Sequence, residues 1–161
     1  MTIAVRPAVL ADASDIAQVH VRAWQEAYGH LVPEESLARQ SVDQRAMRWA
    51  EIISEQTENV WVAVDEALVV VGWASTSSGR GESPPRPLEL DGLYILASQY
   101  GSGAGQLLFD AAIADAAAYL WVADDNPRAR AFYTRNGFLP DGASDTHFLA
   151  GTAVRAIRLV R

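Results

Sequence analysis

The segment 93–108 constrains this chain more than any other. It reads Leu93-Tyr94-Ile95-Leu96-Ala97-Ser98-Gln99-Tyr100-Gly101-Ser102-Gly103-Ala104-Gly105-Gln106-Leu107-Leu108. That is a strand, a glycine-rich turn and the start of a helix. Glycine lets the backbone take unusual dihedrals and come close to a ligand. The first N–H groups of a helix have no internal partner, and that end of the helix is positive. The turn is therefore either a phosphate seat that needs no basic side chain or a tight strand-to-helix turn without a ligand. Two nucleotide motifs fail here. A P-loop needs Gly-Lys-Ser/Thr after its spacer, and a dinucleotide fingerprint needs a third glycine; Gln106 stands at both places.

Around this segment the order of elements is legible. Residues 2–6 form a β-branched run closed by Pro7. Asp12 is placed to cap a helix in which Ile16, Val19, His20, Ala23, Trp24, Ala27 and Tyr28 recur along one face, with Gly29 as its C-cap. A short helical turn starts at Pro33. Ser41 and Gln44 form a capping box for a second full helix carrying Met47, Trp49 and Ile52. Residues 60–65 and 68–74 read as a hairpin, and 75–87 as a mobile, breaker-rich loop. Strands follow at 88–96 and 119–123, on either side of the helix opening near Gly103. A helix then runs from Asn126-Pro127 to near Gly137, with strands around Phe138 and at 154–160. The order is one strand, two helices, three strands, helix, strand, helix, two strands. It predicts a single α/β domain over residues 1–161, with a mixed sheet and a crossover through the Gly103 helix.

Composition narrows the function classes. Thirteen basic and twenty acidic side chains give a net charge of −7, which argues against a nucleic-acid partner. A negative field attracts amines, although the charge also serves solubility. There are no cysteines, so disulfides, thiolate catalysis and zinc–sulfur sites are excluded. His30 and His147 are isolated, and no metal site is expected. No apolar run approaches the ~20 residues that span a bilayer. Residues 1–7 are too short for a signal peptide and lack a basic start, so no membrane contact and a cytoplasmic location are expected.

A second motif is more specific. In Asn126-Pro127-Arg128-Ala129-Arg130-Ala131-Phe132-Tyr133-Thr134-Arg135-Asn136-Gly137-Phe138, Asn126 is a natural N-cap and Pro127 a natural first helical residue. A capped amphipathic helix with an aromatic anchor explains the cap and Phe132. It does not explain Tyr133, two turns from Asn126 on the same face.

With these two motifs in this order, the sequence resembles the GCN5-related N-acetyltransferase (GNAT) superfamily over nearly its whole length. The Tyr100–Gly105 turn is similar to the family's pyrophosphate loop, and Asn126, Ala129, Phe132, Tyr133, Gly137 and Phe138 match its second signature. Trp24, Tyr28, Pro33, Arg45 and Trp49 are similar to the N-terminal stretch of many bacterial members. The resemblance implies a mostly antiparallel central sheet of about seven strands flanked by about four helices. It implies acetyl-CoA as donor and an amine of a small molecule or peptide as acceptor, with no metal; a homodimer is open. It places the pantetheine arm along Leu93, Tyr94 and Ile95, and the pyrophosphate on the backbone of Gly101, Ser102, Gly103, Ala104, Gly105 and Gln106. Asn126 would bond the pantetheine, with Ala129 and Phe132 beside it, and Tyr133 would be the general acid near the sulfur. The loop after the first helix, with Trp24, Tyr28 and Leu31, would wall the acceptor pocket, although Trp24 and Tyr28 also suit core packing. One departure is Tyr100, where the family usually has Arg or Gln. Arg128, Arg130 or Arg135 would compensate at the nucleotide's 3′-phosphate, or stand as solvated surface arginines.

Acetyl transfer needs a deprotonated amine, a polarised carbonyl and a protonated thiolate. The candidate bases are Glu89 and Asp91, or a water chain. By period-two alternation both carboxylates share a face with Leu93 and Ile95, unless a bulge at Gly92 reverses the parity. Asp124 and Asp125 more simply stabilise the following helix, and His20 belongs to the core. A different class of function, a non-catalytic acyl-CoA sensor, remains open, as does an enzyme for longer acyl chains. Tyr133 favours catalysis, because a pure binder does not need a phenol at the sulfur.

Overall fold

The computed structural model describes residues 2–161. In chain order the elements are β1 (Ala4–Pro7), α1 (Ala13–Tyr28), α2 (Glu34–Ala38), α3 (Val42–Glu55), β2 (Asn59–Val64), β3 (Val70–Ser78), β4 (Leu88–Ile95), α4 (Ala104–Ala112), β5 (Ala118–Ala123), α5 (Pro127–Arg135), β6 (Leu139–Leu149) and β7 (Thr152–Val160). Seven strands form one sheet in the order β1-β2-β3-β4-β5-β7-β6. Every neighbouring pair is antiparallel except β4 and β5. That parallel pair requires a crossover, and α4 provides it.

Alternation along the strands feeds two cores. Val60, Val62, Val64 and Trp73 point to one face and pack against Ile16 and Val19 of α1 and Trp49 and Ile52 of α3. Ala63, Ala74, Leu90, Leu120 and Val122 point to the other face, where Leu108 and Phe109 of α4 and Phe138 cover them. His20 belongs to the first core. The Trp49 indole N–H donates to its Nδ1 at 3.3 Å. Burial pushes the His20 imidazole down to about 3, so it is neutral at working pH.

Local signals are realised unevenly. Ser41 Oγ accepts from the Gln44 N–H at 3.2 Å, and Asn126 Oδ1 from the Ala129 N–H at 3.2 Å, as their positions predict. Asp12 does not cap α1 with its side chain. It is buried, accepts two bonds from Arg6 at 2.8 and 2.9 Å, and accepts the Val9 N–H. Gly29 has a helical φ of −58°, not a left-handed one; the last turn closes with the Leu31 and Val32 amides donating to the Tyr28 carbonyl. The segment expected to be loop from residue 75 continues as strand to Ser78. Ser75 and Thr76 are buried there.

One irregularity shapes the centre of the sheet. Leu90 faces Thr76 and Gly92 faces Ser75, so Asp91 is an extra residue in β4. This bulge inverts the alternation across it. Leu90, Leu93 and Ile95 pack on the α4 side. Tyr94 packs on the α1 side, where Asp91 reaches Ser77 and Glu89 reaches Tyr119. The expectation that Glu89 and Asp91 share a face with Leu93 and Ile95 is thus overturned, by a bulge one residue before Gly92. Gly92 is required: a Cβ there would lie 2.7 Å from the Trp73 ring.

Gly92→Ala is therefore expected to lower stability by about 1–3 kcal/mol, the usual cost of overpacking. Gly105→Ala is expected to leave it unchanged or raise it, since a Cβ there meets only ordinary contacts at 3.7 Å and beyond. Thermal unfolding of the two variants beside wild type checks the contrast.

Candidate active site

β4 and β5 pair at only two positions, Leu88 with Ala118 and Glu89 with Tyr119. Beyond them the strands diverge, and a cleft of about 850 Å³ opens between their C-terminal ends. Leu93, Tyr94 and Ile95 form one wall and Leu120–Val122 the other. The Leu96 N–H donates to the Val71 carbonyl at 3.0 Å, on the β3 side. By alternation the Ile95 and Leu93 amides point the other way, into the gap. A sheet edge with unspent backbone donors and acceptors is what an extended, amide-containing ligand requires.

The glycine turn closes one end of the cleft. Gly101 and Gly103 hold left-handed φ values of +82° and +89°, and a Cβ on either would touch nothing. A side chain there would meet backbone strain and would project toward whatever occupies the cleft. The Ser102 hydroxyl accepts from the Ala104 N–H at 3.2 Å. The first helical bond of α4 is from the Leu107 N–H to the Gly103 carbonyl, so the Gly105 and Gln106 amides lie before it as helix-end donors. Tyr100, Gly101, Gly103, Gly105 and Gln106 all line the cleft, whereas Ser102 and Ala104 do not.

α5 supplies the opposite wall through Asn126, Ala129, Phe132 and Tyr133. Tyr133 is wedged between Phe132 and Phe138, with ring centroids at 5.4 and 6.0 Å. Burial pushes its phenol well above the ordinary tyrosine range, so it holds its proton at any working pH. Among the described residues its hydroxyl has no hydrogen-bond partner. Tyr28 lies near it, and the Tyr28 and Tyr94 hydroxyls share a bond of 2.8 Å. Burial also raises the Tyr28 phenol, opposed by hydrogen bonds to Tyr94 and Asn126.

The two candidate carboxylates separate. Asp91 lines the large cleft. Its Oδ1 accepts from Ser77 Oγ at 3.0 Å and from Arg80 Nη2 at 2.6 Å, while its Oδ2 is buried without a partner. Burial pushes the Asp91 carboxyl up to about 6. Glu89 lines a separate recess of about 260 Å³ with Arg80, Tyr119, Trp121, His147 and Arg158. Its Oε2 accepts from the Tyr119 hydroxyl at 2.8 Å.

Of the expected acceptor-side residues, Tyr28 lines the cleft but Trp24 and Leu31 do not. Trp24 stacks among His20, Tyr28 and Tyr94 under Arg45, and Leu31 packs beside Val32 and Leu37. Among the wall residues that the sequence reading did not assign to the site are Ala27, His30 and Trp121. Trp121 lines both hollows, with Arg158 and His147 against its ring. Its signal in the sequence was a large aromatic on a strand next to the Asn126 motif, which also suits a core position. Among the described residues no group of three or more acidic or histidine side chains could hold a metal ion. Among the described residues no helix is long and apolar enough to cross a membrane.

Known proteins share this architecture. The model of the acetyltransferase (GNAT) family matches residues 18–138. The uncharacterized N-acetyltransferase YuaI of Bacillus subtilis (strain 168) is 29% identical over 164 residues, covering 98% of this chain and 91% of that protein. The fold is shared with yncA of Salmonella typhimurium, solved with acetyl-CoA, at a TM-score of 0.73 and 18% identity, over 100% of this chain and 94% of that one. It is shared equally with a GNAT-superfamily phosphinothricin acetyltransferase of Sinorhizobium meliloti, solved in complex with AcCoA, at a TM-score of 0.73 and 23% identity, over 100% and 88% of the two chains. A sheet that splits beside a glycine-led helix and a Tyr133-bearing second wall thus sits in a chain whose family model spans most of its length: the chain belongs to the GNAT acetyltransferase family and is a GNAT-type N-acetyltransferase.

Proposed function

We propose that this enzyme transfers the acetyl group of acetyl-CoA to a primary amine by direct attack, with Tyr133 as general acid and Asp91 as general base. One observation carries the reading. Tyr133, whose hydroxyl makes no hydrogen bond among the described residues, and Asp91, which carries a buried unpartnered oxygen, line the same cleft, beside a glycine turn suited to phosphate. Acetyl-CoA-bound neighbours with the same fold support the choice of donor. The acceptor is a small molecule or peptide bearing an amine.

The roles follow from the chemistry of each group. The amides of Gly101, Gly103, Gly105 and Gln106, which line the cleft, and the positive end of α4 hold the pyrophosphate. The inward amides of Leu93 and Ile95 hold the pantetheine arm, and the Ile95 N–H polarises the thioester carbonyl. Asn126 Oδ1 is spent on its cap and its side chain also bonds the Tyr28 phenol, so the Asn126 amide group reaches the arm through its remaining Nδ2 donor. Asp91 Oδ2 accepts the ammonium proton of the acceptor and passes it to solvent. The amine nitrogen then bonds to the carbonyl carbon as the carbon–sulfur bond breaks. Tyr133 gives its proton to the departing sulfur and regains one from the new amide nitrogen. One proton is released overall. Holding both substrates in one cleft contributes as much as the proton transfers.

Glu89 is given no proton-transfer role, because its carboxylate faces the other recess and is engaged by Tyr119. Free-thiol release from acetyl-CoA with a panel of amines tests the reading. Turnover on at least one amine is expected; binding of acetyl-CoA with no turnover on any amine would instead fit a sensor.

Asp91→Asn is expected to lower kcat/KM by about 10²-fold or more. Wild-type kcat/KM should rise with pH through an inflection near 6, where the raised Asp91 carboxyl ionises and becomes able to accept a proton. The Asn variant should lack that inflection. Its melting temperature should not fall, since the variant removes a buried charge. An unchanged pH profile would move the base to water.

Tyr133→Phe keeps the ring and removes only the hydroxyl. CoA affinity should change little, while kcat and kcat/KM fall together by about 10²-fold. Undiminished kcat would remove Tyr133 from the mechanism.

A further inference from the structure

The loop that opens α4 begins with Tyr100, which cannot pair with phosphate charge. The Arg128 guanidinium carbon lies 3.5 Å from the centre of the Tyr100 ring. The two residues come from opposite walls, Tyr100 from the β4–α4 connection and Arg128 from the first turn of α5, and both line the cleft.

We propose that Arg128, held over the Tyr100 ring, is a diphosphate-binding residue of the acyl-donor site and supplies the cation that the loop lacks. The proposal rests on the acetyl-CoA reading above and adds a residue pair to it. Three features carry it. First, stacking uses only the face of a guanidinium. Its in-plane N–H donors stay available, and that fork matches a phosphate bidentately. Second, Arg128 forms no ion pair among the described residues, whereas Arg130 and Arg155 are both tied to Asp124, and Arg158 to Asp141. Third, its position is unfavourable for the helix alone. A cation in the first turn opposes the helix dipole; that turn holds no acidic residue, and of the two that precede its cap, Asp124 is tied to Arg130 and Arg155. An anion beside Arg128 removes the conflict.

Tyr100 is then a positioning residue. Its ring, 39% exposed, fixes the guanidinium next to Gly101, where the left-handed turn begins. A cation–π contact at such an exposed site is weak by itself. Its effect is to restrict a long side chain to one orientation before the ligand arrives, which lowers the ordering cost of binding. In a chain of net charge −7, a fixed local cation also offsets repulsion of a polyanionic donor.

Calorimetric titration of wild type, Arg128→Ala, Tyr100→Ala, Tyr100→Phe and the double alanine variant tests this, with CoA and with dephospho-CoA, which lacks the 3′-phosphate. Arg128→Ala should weaken both probes by about 10-fold or more, to the same extent, as loss of a charge-assisted phosphate contact does. Tyr100→Ala should weaken both by less, and Tyr100→Phe, which keeps the ring face, should restore the lost affinity. In the double variant the Tyr100 effect should nearly vanish, because its partner is gone. Four results overturn the proposal. They are an Arg128→Ala change under about 2-fold, a gain in affinity, which would make the pair a latch across the cleft, a loss confined to CoA, which would place Arg128 on the 3′-phosphate, and additive effects in the double variant. Wild type that binds neither probe overturns the donor reading itself.

Discussion

The parallel pairing of β4 with β5 breaks off after two residue pairs, and the rest of the site depends on that break. The Asp91 bulge lies two residues beyond the last pair, and a bulge sharpens strand twist where it occurs. From there β4 keeps its ladder with β3 but leaves β5, while β5 keeps its ladder with β7. A split in a sheet interior normally strands backbone polar groups. Here the stranded groups face a cleft, where a ligand with its own amides can satisfy them. The same bulge turns Asp91 away from the α4 core and into that cleft. Gly92 makes this possible by yielding its side-chain space to Trp73.

Two buried groups hold opposite protonation states beside this gap. Desolvation raises both carboxyl and phenol, but from very different starting points. Asp91 is brought near the range in which it can exchange a proton at working pH. Tyr133 is kept as a phenol throughout. In the proposed mechanism, burial would thus suit Asp91 to accept a proton and Tyr133 to donate one from different walls. Arg80, from the β3–β4 loop, bridges Asp91 and Glu89 and limits how far Asp91 shifts.

Much of the fold was legible because its signals are local. The Ser41 and Asn126 caps, the Pro127 start and the positive-φ glycines each express a constraint within a few residues of themselves. The succession of strands and helices along the chain followed from hydrophobic runs and breakers, whereas the order of the strands within the sheet did not. What escaped was set by tertiary partners. Asp12 looked like a helix cap but is claimed by Arg6. Gly29 looked like a C-cap, but the Leu31 and Val32 amides close that turn without a left-handed residue. The strand parity of Glu89 and Asp91 depended on a bulge whose position is fixed by the Trp73 ring across β3. Trp121 and the Tyr100–Arg128 pair join segments far apart in sequence, and spacing carries no trace of such pairings.

A crystal structure of the protein soaked with CoA tests the central claim most directly. The claim places the pantetheine arm between β4 and β5, with its amides bonded to the Leu93 and Ile95 backbone, its sulfur beside the Tyr133 hydroxyl and its pyrophosphate on the amides of the α4 turn. Density for CoA elsewhere on the protein, with water filling the β4–β5 gap, would contradict it.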